Sequence, residues 1–306
     1  MTRKRMICSG SLPSCWPSRG ILHKMVTSLR ALLPHDVTID VVDIGANPID
    51  HAPPYKPLLD QGRATVIGFE PNPEALARLN AATSPHERYF PYAIANGAER
   101  DFHICHAPGM SSLLKPNEKM LSYFNGLPDW GAVQRIERIQ TRRLDDIPEI
   151  TSPDLLKIDV QGAELEIFSH APRVLGELVA IHTEVAFVPI YHDQPHFSDV
   201  DLALRKKGFL LHRFANLTSR VFSPIVVNND LYAGLSQAFE ADVVYIRDFT
   251  RFRELPAQKL LKLAVILHEI YGSYDVAYEA LACYDDAAGT RISKDFLGGL
   301  TGVEVP

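Results

Sequence analysis

Three near-continuously apolar runs, TIDVVDI (38–44), ATVIGFE (64–70) and RYFPYAI (88–94), are separated by helical stretches, and this alternation constrains the fold more than any other feature of the chain. A strand that is apolar on both faces belongs in a parallel sheet covered by helices on each side. The rhythm resumes with LLKIDV (155–160), VAIHTEV (179–185), GFLLHRF (208–214) and ADVVYIR (241–247). Helical spacing falls between the runs, near 56–61, 73–80, 163–169 and 198–207. Together they predict a doubly wound α/β sheet of about seven strands that closes with a hairpin. Two more runs, RDFHICH (100–106) and IERIQTRRL (136–144), lie outside the series, and the second alternates as an edge strand does.

At 306 residues the chain is long enough for one main domain with additions. Apolar residues from Ile21 to Leu33 keep helical spacing and stop at Pro34. Past Asp248, LPAQKLLKLAVILHEIY and SYDVAYEALACYDD read as two amphipathic helices joined at Gly272 and Ser273, with Pro256 in the first turn. The expected division is a disordered tail over 1–20, a main domain over 21–250, and a C-terminal helical extension over 251–306 that packs on the domain or on a second subunit. Met25 is read as the start of the natural protein.

With 46% hydrophobic and 22% charged residues the composition is that of a soluble globular chain, and no apolar run approaches the ~18 residues of a spanning helix. The net charge of -6 argues against a nucleic-acid surface, which needs a basic stripe, and points to a small-molecule partner. Cys8, Cys15, Cys105 and Cys283 lack the Cys-x-x-Cys spacing of a zinc or redox pair and read as free thiols of a cytoplasmic protein.

The C-terminal edge of the first strand is where a sheet of this kind holds a nucleotide. A dinucleotide calls for Gly-x-Gly-x-x-Gly, so that backbone amides and a helix N-terminus reach its pyrophosphate. VVDIGANPID keeps only Gly45, places Asn47 at the second glycine and loses an amide at Pro48. Such a turn suits a nucleoside ligand without phosphates. Glu70 ends the second strand, where a carboxylate can hold both ribose hydroxyls, and Pro71 beside it offers a flat apolar face for adenine. Taken singly, Asp43 reads as well as a turn-capping carboxylate and Glu70 as a solvated strand end. Their occurrence at consecutive strand ends favours a ligand.

DIGAN, VIGFEPNPEALARLN, LLKIDVQGAELEIF and IHTEV occur in this order between Val41 and Phe214. On these blocks the chain resembles the FkbM family of S-adenosylmethionine-dependent methyltransferases, a class I Rossmann-like group. The resemblance implies S-adenosylmethionine as cofactor and O-methylation of a hydroxyl on a sugar or other small natural product. It implies Asp43, Gly45, Ala46 and Asn47 along the methionine end, Glu70 at the ribose, and Ala93 and Ile94 beside the adenine. It further implies Ser112 of GMSSLL near the site, and Asp159 with Gln161 closing the cofactor pocket. Two positions depart from the family pattern: Ile49, after Pro48, replaces the last glycine of DxGANxG, and Gln161 replaces the glutamate of DVEG. An acid-base role of that glutamate cannot reside at an amide.

Methyl transfer to an alcohol requires alignment in a dry pocket and a base for the hydroxyl proton. Side chains alternate along a strand, so Lys157 and Asp159 share one face of LLKIDV, and His182 and Glu184 share one face of VAIHTEV. If these strands are neighbours, Asp159, His182 and Glu184 converge as the catalytic group, with Asp159 or Glu184 as base and His182 as its partner or alternative. No metal is assigned, because two carboxylates and a histidine account for themselves without one. His182 alone reads equally as a hydrogen-bonded core imidazole. FVPIYHDQPHFSD (187–199), with His192, Asp193 and His196, is placed as an acceptor loop or a solvated one, and Trp130 as a stacking lid over a sugar or a core residue.

Two other readings stay open at the level of sequence. One is a module that binds S-adenosylmethionine without turnover. The other is a nicotinamide-dependent oxidoreductase or epimerase, disfavoured by the missing glycines and by the lack of a Tyr-x-x-x-Lys pair. Oligomeric state is left open as well.

Overall fold

A computed structural model describes residues 29–47 and 52–301. The expected tail, Cys8 and Cys15, most of the helix expected from Ile21, and the departures at Pro48 and Ile49 lie outside the described residues.

The strands are β1 (Ile39–Ile44), β2 (Ala64–Phe69), β3 (Glu87–Phe90), β4 (Ala93–Ile94), β5 (Glu99–Cys105), β6 (Val133–Arg142), β7 (Leu155–Ile158), β8 (Ala180–Ala186), β9 (Phe209–Arg220) and β10 (Gln237–Arg247). Seven of them form one sheet in the order β3-β2-β1-β7-β8-β10-β9. All neighbours up to β8 are parallel, and β10 runs antiparallel between β8 and β9. This is the Rossmann-like doubly wound sheet with the closing hairpin expected from the alternation. Chain order reverses beside β1, so the ends of β1 and β7 flank a crevice suited to a ligand.

RYFPYAI is not one strand. Pro91 has no N–H to give to a ladder, and at this residue the chain leaves the large sheet. Ala93–Ile94 then pairs with β6 in a separate three-stranded sheet of order β4-β6-β5. The segment IERIQTRRL therefore belongs to this small sheet and not to an edge of the large one.

The two faces of the large sheet are covered from different parts of the chain. Val42, Ile44, Leu156 and Ile158 meet the helices Glu164–Ser169, Pro172–Glu177 and Phe197–Lys206 on one side. Val41, Val66, Leu155 and Val244 meet the C-terminal helices Ala257–Val265, Tyr274–Ala288 and Ile292–Thr301 on the other. Leu260, Leu261, Leu263, Leu267, Leu281 and Phe296 are all buried there. Each such side chain contributes about 1.5–3 kcal/mol of burial, so the C-terminal segment shares one core with the sheet. The third of these helices was not anticipated from the sequence, since Gly298 and Gly299 weaken its pattern.

A buried ion-pair network fastens this layer. Asp154, fully buried before β7, takes Lys259 at 2.8 Å and Lys262 at 2.6 Å, and Lys262 also reaches Asp40 of β1 at 2.8 Å. Pairing both charges with several hydrogen bonds is what makes their burial tolerable. Cys105 and Cys283 are buried free thiols. No helix among the described residues is long and apolar enough to cross a membrane.

Candidate active site

A cavity of about 880 Å³ opens over the C-terminal ends of β1, β7 and β8 and runs along the β9–β10 hairpin. That volume lies within the range of about 300–1,000 Å³ usual for small-molecule sites. At one end Asp43, Ala46 and Asn47 form its wall. At the other, Met110, Leu127, Trp130, Tyr232 and Phe239 make an apolar and aromatic wall. Between them stand Lys157, Asp159, Gln161, His182 and Glu184.

The turn after β1 is built by close main-chain contact. Gly45 has φ +75°, and its N–H and that of Ala46 both donate to the Phe69 carbonyl, at 3.1 and 3.2 Å. Asp43 is buried at the strand end, where the Tyr55 hydroxyl donates to Oδ2 at 2.5 Å and the Lys157 ammonium stands 3.3 Å from Oδ1. Burial pushes the Asp43 carboxyl above its usual range, against the pull of Lys157 and Tyr55. Burial also works against the charge of Lys157, but the carboxylates of Asp43 and Asp159 outweigh it and raise its pKa. Lys157 further donates to the Gly45 carbonyl at 2.9 Å, which locks the turn to β7.

Glu70 ends β2 one strand away, buried, with Oε1 accepting the Asn72 amide at 2.7 Å. Desolvation raises its pKa. Asn72 in turn caps the helix Pro73–Ala82. Glu70 and Pro71 lie beyond the cavity wall, as do Ala93 and Ile94, the latter in the core under β4. Ser112 is fully committed: its hydroxyl donates to the Gln161 carbonyl at 2.7 Å and accepts the Leu114 amide at 2.9 Å. Its place is behind Gln161, as a support for that residue's backbone.

The central group converges because β7 and β8 are parallel neighbours with Lys157 opposite His182. Gln161 adopts a left-handed φ of +57°, which turns its side chain back toward the strand ends. Its amide Nε2 donates to Asp159 Oδ1 at 2.8 Å and to Glu184 Oε2 at 3.2 Å, while its Oε1 lies 2.9 Å from the Tyr191 hydroxyl. The neutral amide thus holds together two carboxylates that would otherwise repel. Glu184 is pushed well above the carboxylate range, first by burial and then by Asp159, Glu240, Glu164 and Asp242. Glu164 is buried behind this group and is pushed up to about 7, although its Oε1 accepts the amides of Val160 and Gly162. The carboxylates of Asp159, Glu164 and Glu184 have oxygens within 4.8 Å of one another, with the Gln161 amide already bridging two of them.

His182 lines the cavity with its imidazole mostly covered, and burial, assisted by Lys157, lowers its pKa to about 4. The ring is therefore neutral over the whole physiological range. Nδ1 lies 3.2 Å from the Tyr271 hydroxyl. Trp130 stacks on Tyr232 with ring centroids 4.8 Å apart, and Arg220 stands over the tryptophan at 5.9 Å.

The loop 187–199 contributes Ile190 to the cavity, whereas His192, Asp193 and His196 lie away from it. His192 is exposed and faces Glu118 at 3.4 Å, and the His196 amide caps the following helix through Asp199. Tyr55, Tyr191, Asp242, Glu240, Tyr232 and Tyr271 were not anticipated. The one available signal was Asp242, a carboxylate at the head of the apolar run ADVVYIR.

A curated relative, the 2-O-methyltransferase NoeI of Sinorhizobium fredii (strain NBRC 101917 / NGR234), is 29% identical over 167 residues, which are 50% of this chain and 66% of that protein. Among solved structures, a methyltransferase FkbM from Methylobacillus flagellatus aligns with a TM-score of 0.38 and 14% identity over 73% of this chain and 47% of that one. The TYW2 protein of M. jannaschii, solved in complex with AdoMet, aligns with a TM-score of 0.31 and 11% identity over 76% of this chain and 79% of its own. The chain thus spans just under two thirds of the curated relative and about half of the Methylobacillus protein. The family model for the methyltransferase FkbM domain matches residues 43–211, more than half of the chain and the whole run from the β1 turn to β9 that builds the cavity's centre. The chain therefore belongs to the FkbM methyltransferase family.

Proposed function

We propose that the protein is an S-adenosylmethionine-dependent methyltransferase that methylates a hydroxyl of a sugar or sugar-like small acceptor. The observation that carries this reading is the charge of the cavity. Five acidic side chains, Asp43, Asp159, Glu184, Glu240 and Asp242, line it against two cations, Lys157 and Arg220. Such a field opposes a pyrophosphate and favours a ligand that carries a sulfonium and an amino group. The residues present fit this cofactor at the β1 turn, where main chain stands in place of side chain, while Glu70 one strand over lies beyond the cavity wall. The finer reading, a sugar hydroxyl, is supported by the stacked pair Trp130–Tyr232 on the acceptor side and by the relative NoeI being a 2-O-methyltransferase.

Bound there, the cofactor supplies a methyl group on a positively charged sulfur for in-line transfer to the acceptor oxygen. The protein's part is to orient the acceptor, exclude water and take the proton. Burial and the neighbouring acids raise the Glu184 carboxyl, so it gives up its proton less readily than an ordinary carboxyl, and its Oε2 accepts the Gln161 amide. Asp159, tied to Gln161, faces the developing charge. His182, neutral above pH about 4, offers a lone pair to the hydroxyl. A hydroxyl proton becomes strongly acidic as its oxygen is alkylated, so a weak base in the right place suffices.

Calorimetric titration with S-adenosylmethionine, its demethylated product and NAD tests the cofactor, followed by an assay with hydroxylated acceptors. Micromolar binding of the first two, about -8 kcal/mol, with no response to NAD is the expected result. Binding of NAD alone would replace methyl transfer by redox chemistry, and cofactor binding without acceptor methylation would leave a module without turnover.

A further inference from the structure

The family match ends at residue 211, yet the ring of His182 is held from beyond it. Tyr271 occupies the bend between the helical stretch 257–270 and the helix Tyr274–Ala288. It is buried, its hydroxyl lies 3.2 Å from His182 Nδ1, and the two rings stack at a centroid distance of 6.1 Å. The bend is pinned twice to β9. Arg213 Nη1 donates to the Tyr271 carbonyl at 2.7 Å, and His212 Nε2 lies 2.8 Å from the Ser273 hydroxyl. On the other side of the imidazole, Nε2 stands 3.9 Å from Asp242 Oδ1, beyond direct hydrogen-bond reach, and both residues line the cavity. A hydroxyl oxygen about 2.8 Å from each fits this gap.

We propose that Tyr271 is a positioning residue for methyl transfer: its hydroxyl oxygen accepts the Nδ1 proton of neutral His182, which leaves the Nε2 lone pair facing the acceptor hydroxyl. This rests on His182 being the base. A neutral imidazole carries one ring proton, and the partner of one nitrogen decides where that proton sits. In the reaction the acceptor proton passes to Nε2 while the Nδ1 proton stays on the bond to Tyr271. The resulting imidazolium has Asp242 3.9 Å from Nε2 and feels the opposed charges of Asp159 and Lys157. The C-terminal helices thereby act on the chemistry through one phenol.

Tyr271→Phe tests this in two independent ways. With 15N-labelled histidine, the ring nitrogens of His182 report the tautomer without any turnover. The wild-type protein is expected to be protonated at Nδ1, and the variant to shift toward protonation at Nε2. In the methyl-transfer assay, kcat is expected to fall about tenfold, with acceptor KM and cofactor affinity within twofold. An unchanged tautomer in the variant overturns the positioning role, as does a changed tautomer with unchanged kcat. Arg213→Met releases the Tyr271 carbonyl but keeps the phenol, and is expected to give the same nitrogen shifts to a smaller extent, which secures the test if Tyr271→Phe does not fold. Full kcat in His182→Ala overturns the base assignment itself, and the tautomer measurement separates that failure from a failure of Tyr271 to orient the ring.

Discussion

Gly45 lies against the backbone of Asp159 so closely that a β-carbon on it would meet the Asp159 carbonyl oxygen at 2.0 Å. The ends of β1 and β7 thus touch main chain to main chain, and the turn cannot accept a side chain without parting them. Gly45→Ala is expected to lower the free energy of unfolding by about 2 kcal/mol or more, from left-handed backbone strain and the clash together. It is also expected to weaken S-adenosylmethionine at least tenfold. Urea unfolding and calorimetry measure the two effects, and native values for both would show that the turn relaxes freely.

Gln161→Glu restores the residue usual in the family and tests why an amide stands here. The new carboxyl loses the donor to Asp159 and Glu184 and adds a third acid to the pair. Its folded pKa is raised, so the folded state holds the proton more tightly than the unfolded one, and stability is lost as pH rises. A loss of about 1–3 kcal/mol at pH 8 that shrinks at pH 5 is expected. A loss independent of pH would mean that the amide's bonds matter and the repulsion does not.

Glu164 carries a pH signature of its own. Its carboxyl is pushed from 4.5 to about 7, chiefly by burial, so its contribution to stability is full below pH 4.5 and lost as pH rises to about 7. Glu164→Gln keeps an oxygen for the Val160 and Gly162 amides and removes the titration. The variant is expected to exceed the wild type at pH 8 by up to about 3 kcal/mol and to match it at pH 4.5. His182 slopes the other way between pH 4 and 6.5, where burial of its neutral ring makes stability rise with pH. That slope is common to both proteins and cancels in the difference, so equal pH profiles would refute the raised carboxyl.

The C-terminal helices are expected to be indispensable to folding. Ending the chain at Asp248 uncovers Val41, Val66, Leu155 and Val244 and removes Leu260, Leu261, Leu263, Leu267, Leu281 and Phe296 among other buried side chains. Their burial, about 10 kcal/mol or more, is comparable with the net stability of a whole domain. The truncated chain should show no cooperative thermal transition by circular dichroism. A cooperative transition near that of the full chain would establish residues 251–306 as an appendage.

Much of this was legible in the sequence, and the rest was not for identifiable reasons. Apolar runs announced the large sheet, and the lone glycine marked the turn after β1 that walls the cavity, whereas Glu70 at the end of β2 lies beyond that wall. Local chemistry set these features, so local sequence displayed them. RYFPYAI misled because its hydrophobicity continues across Pro91 while its hydrogen bonding cannot. The convergence of Asp159, His182 and Glu184 could be written only conditionally, since it depends on β7 and β8 being neighbours. Tyr55, Tyr191 and Tyr271 reach Asp43, Gln161 and His182 from 12, 30 and 89 residues away. A tyrosine among apolar neighbours carries no mark of where its hydroxyl will point.

The layer formed by Ala257–Val265, Tyr274–Ala288 and Ile292–Thr301 also sets an order of events during synthesis. A ribosome releases β1, with Asp43 and Gly45 at its end, more than two hundred residues before it releases the helices that cover that strand and the tyrosine that steadies His182. Until then the sheet has one bare apolar face and the histidine an unfixed ring. The nascent chain is therefore exposed to aggregation until these helices emerge, and only then are the groups of the proposed site all in place.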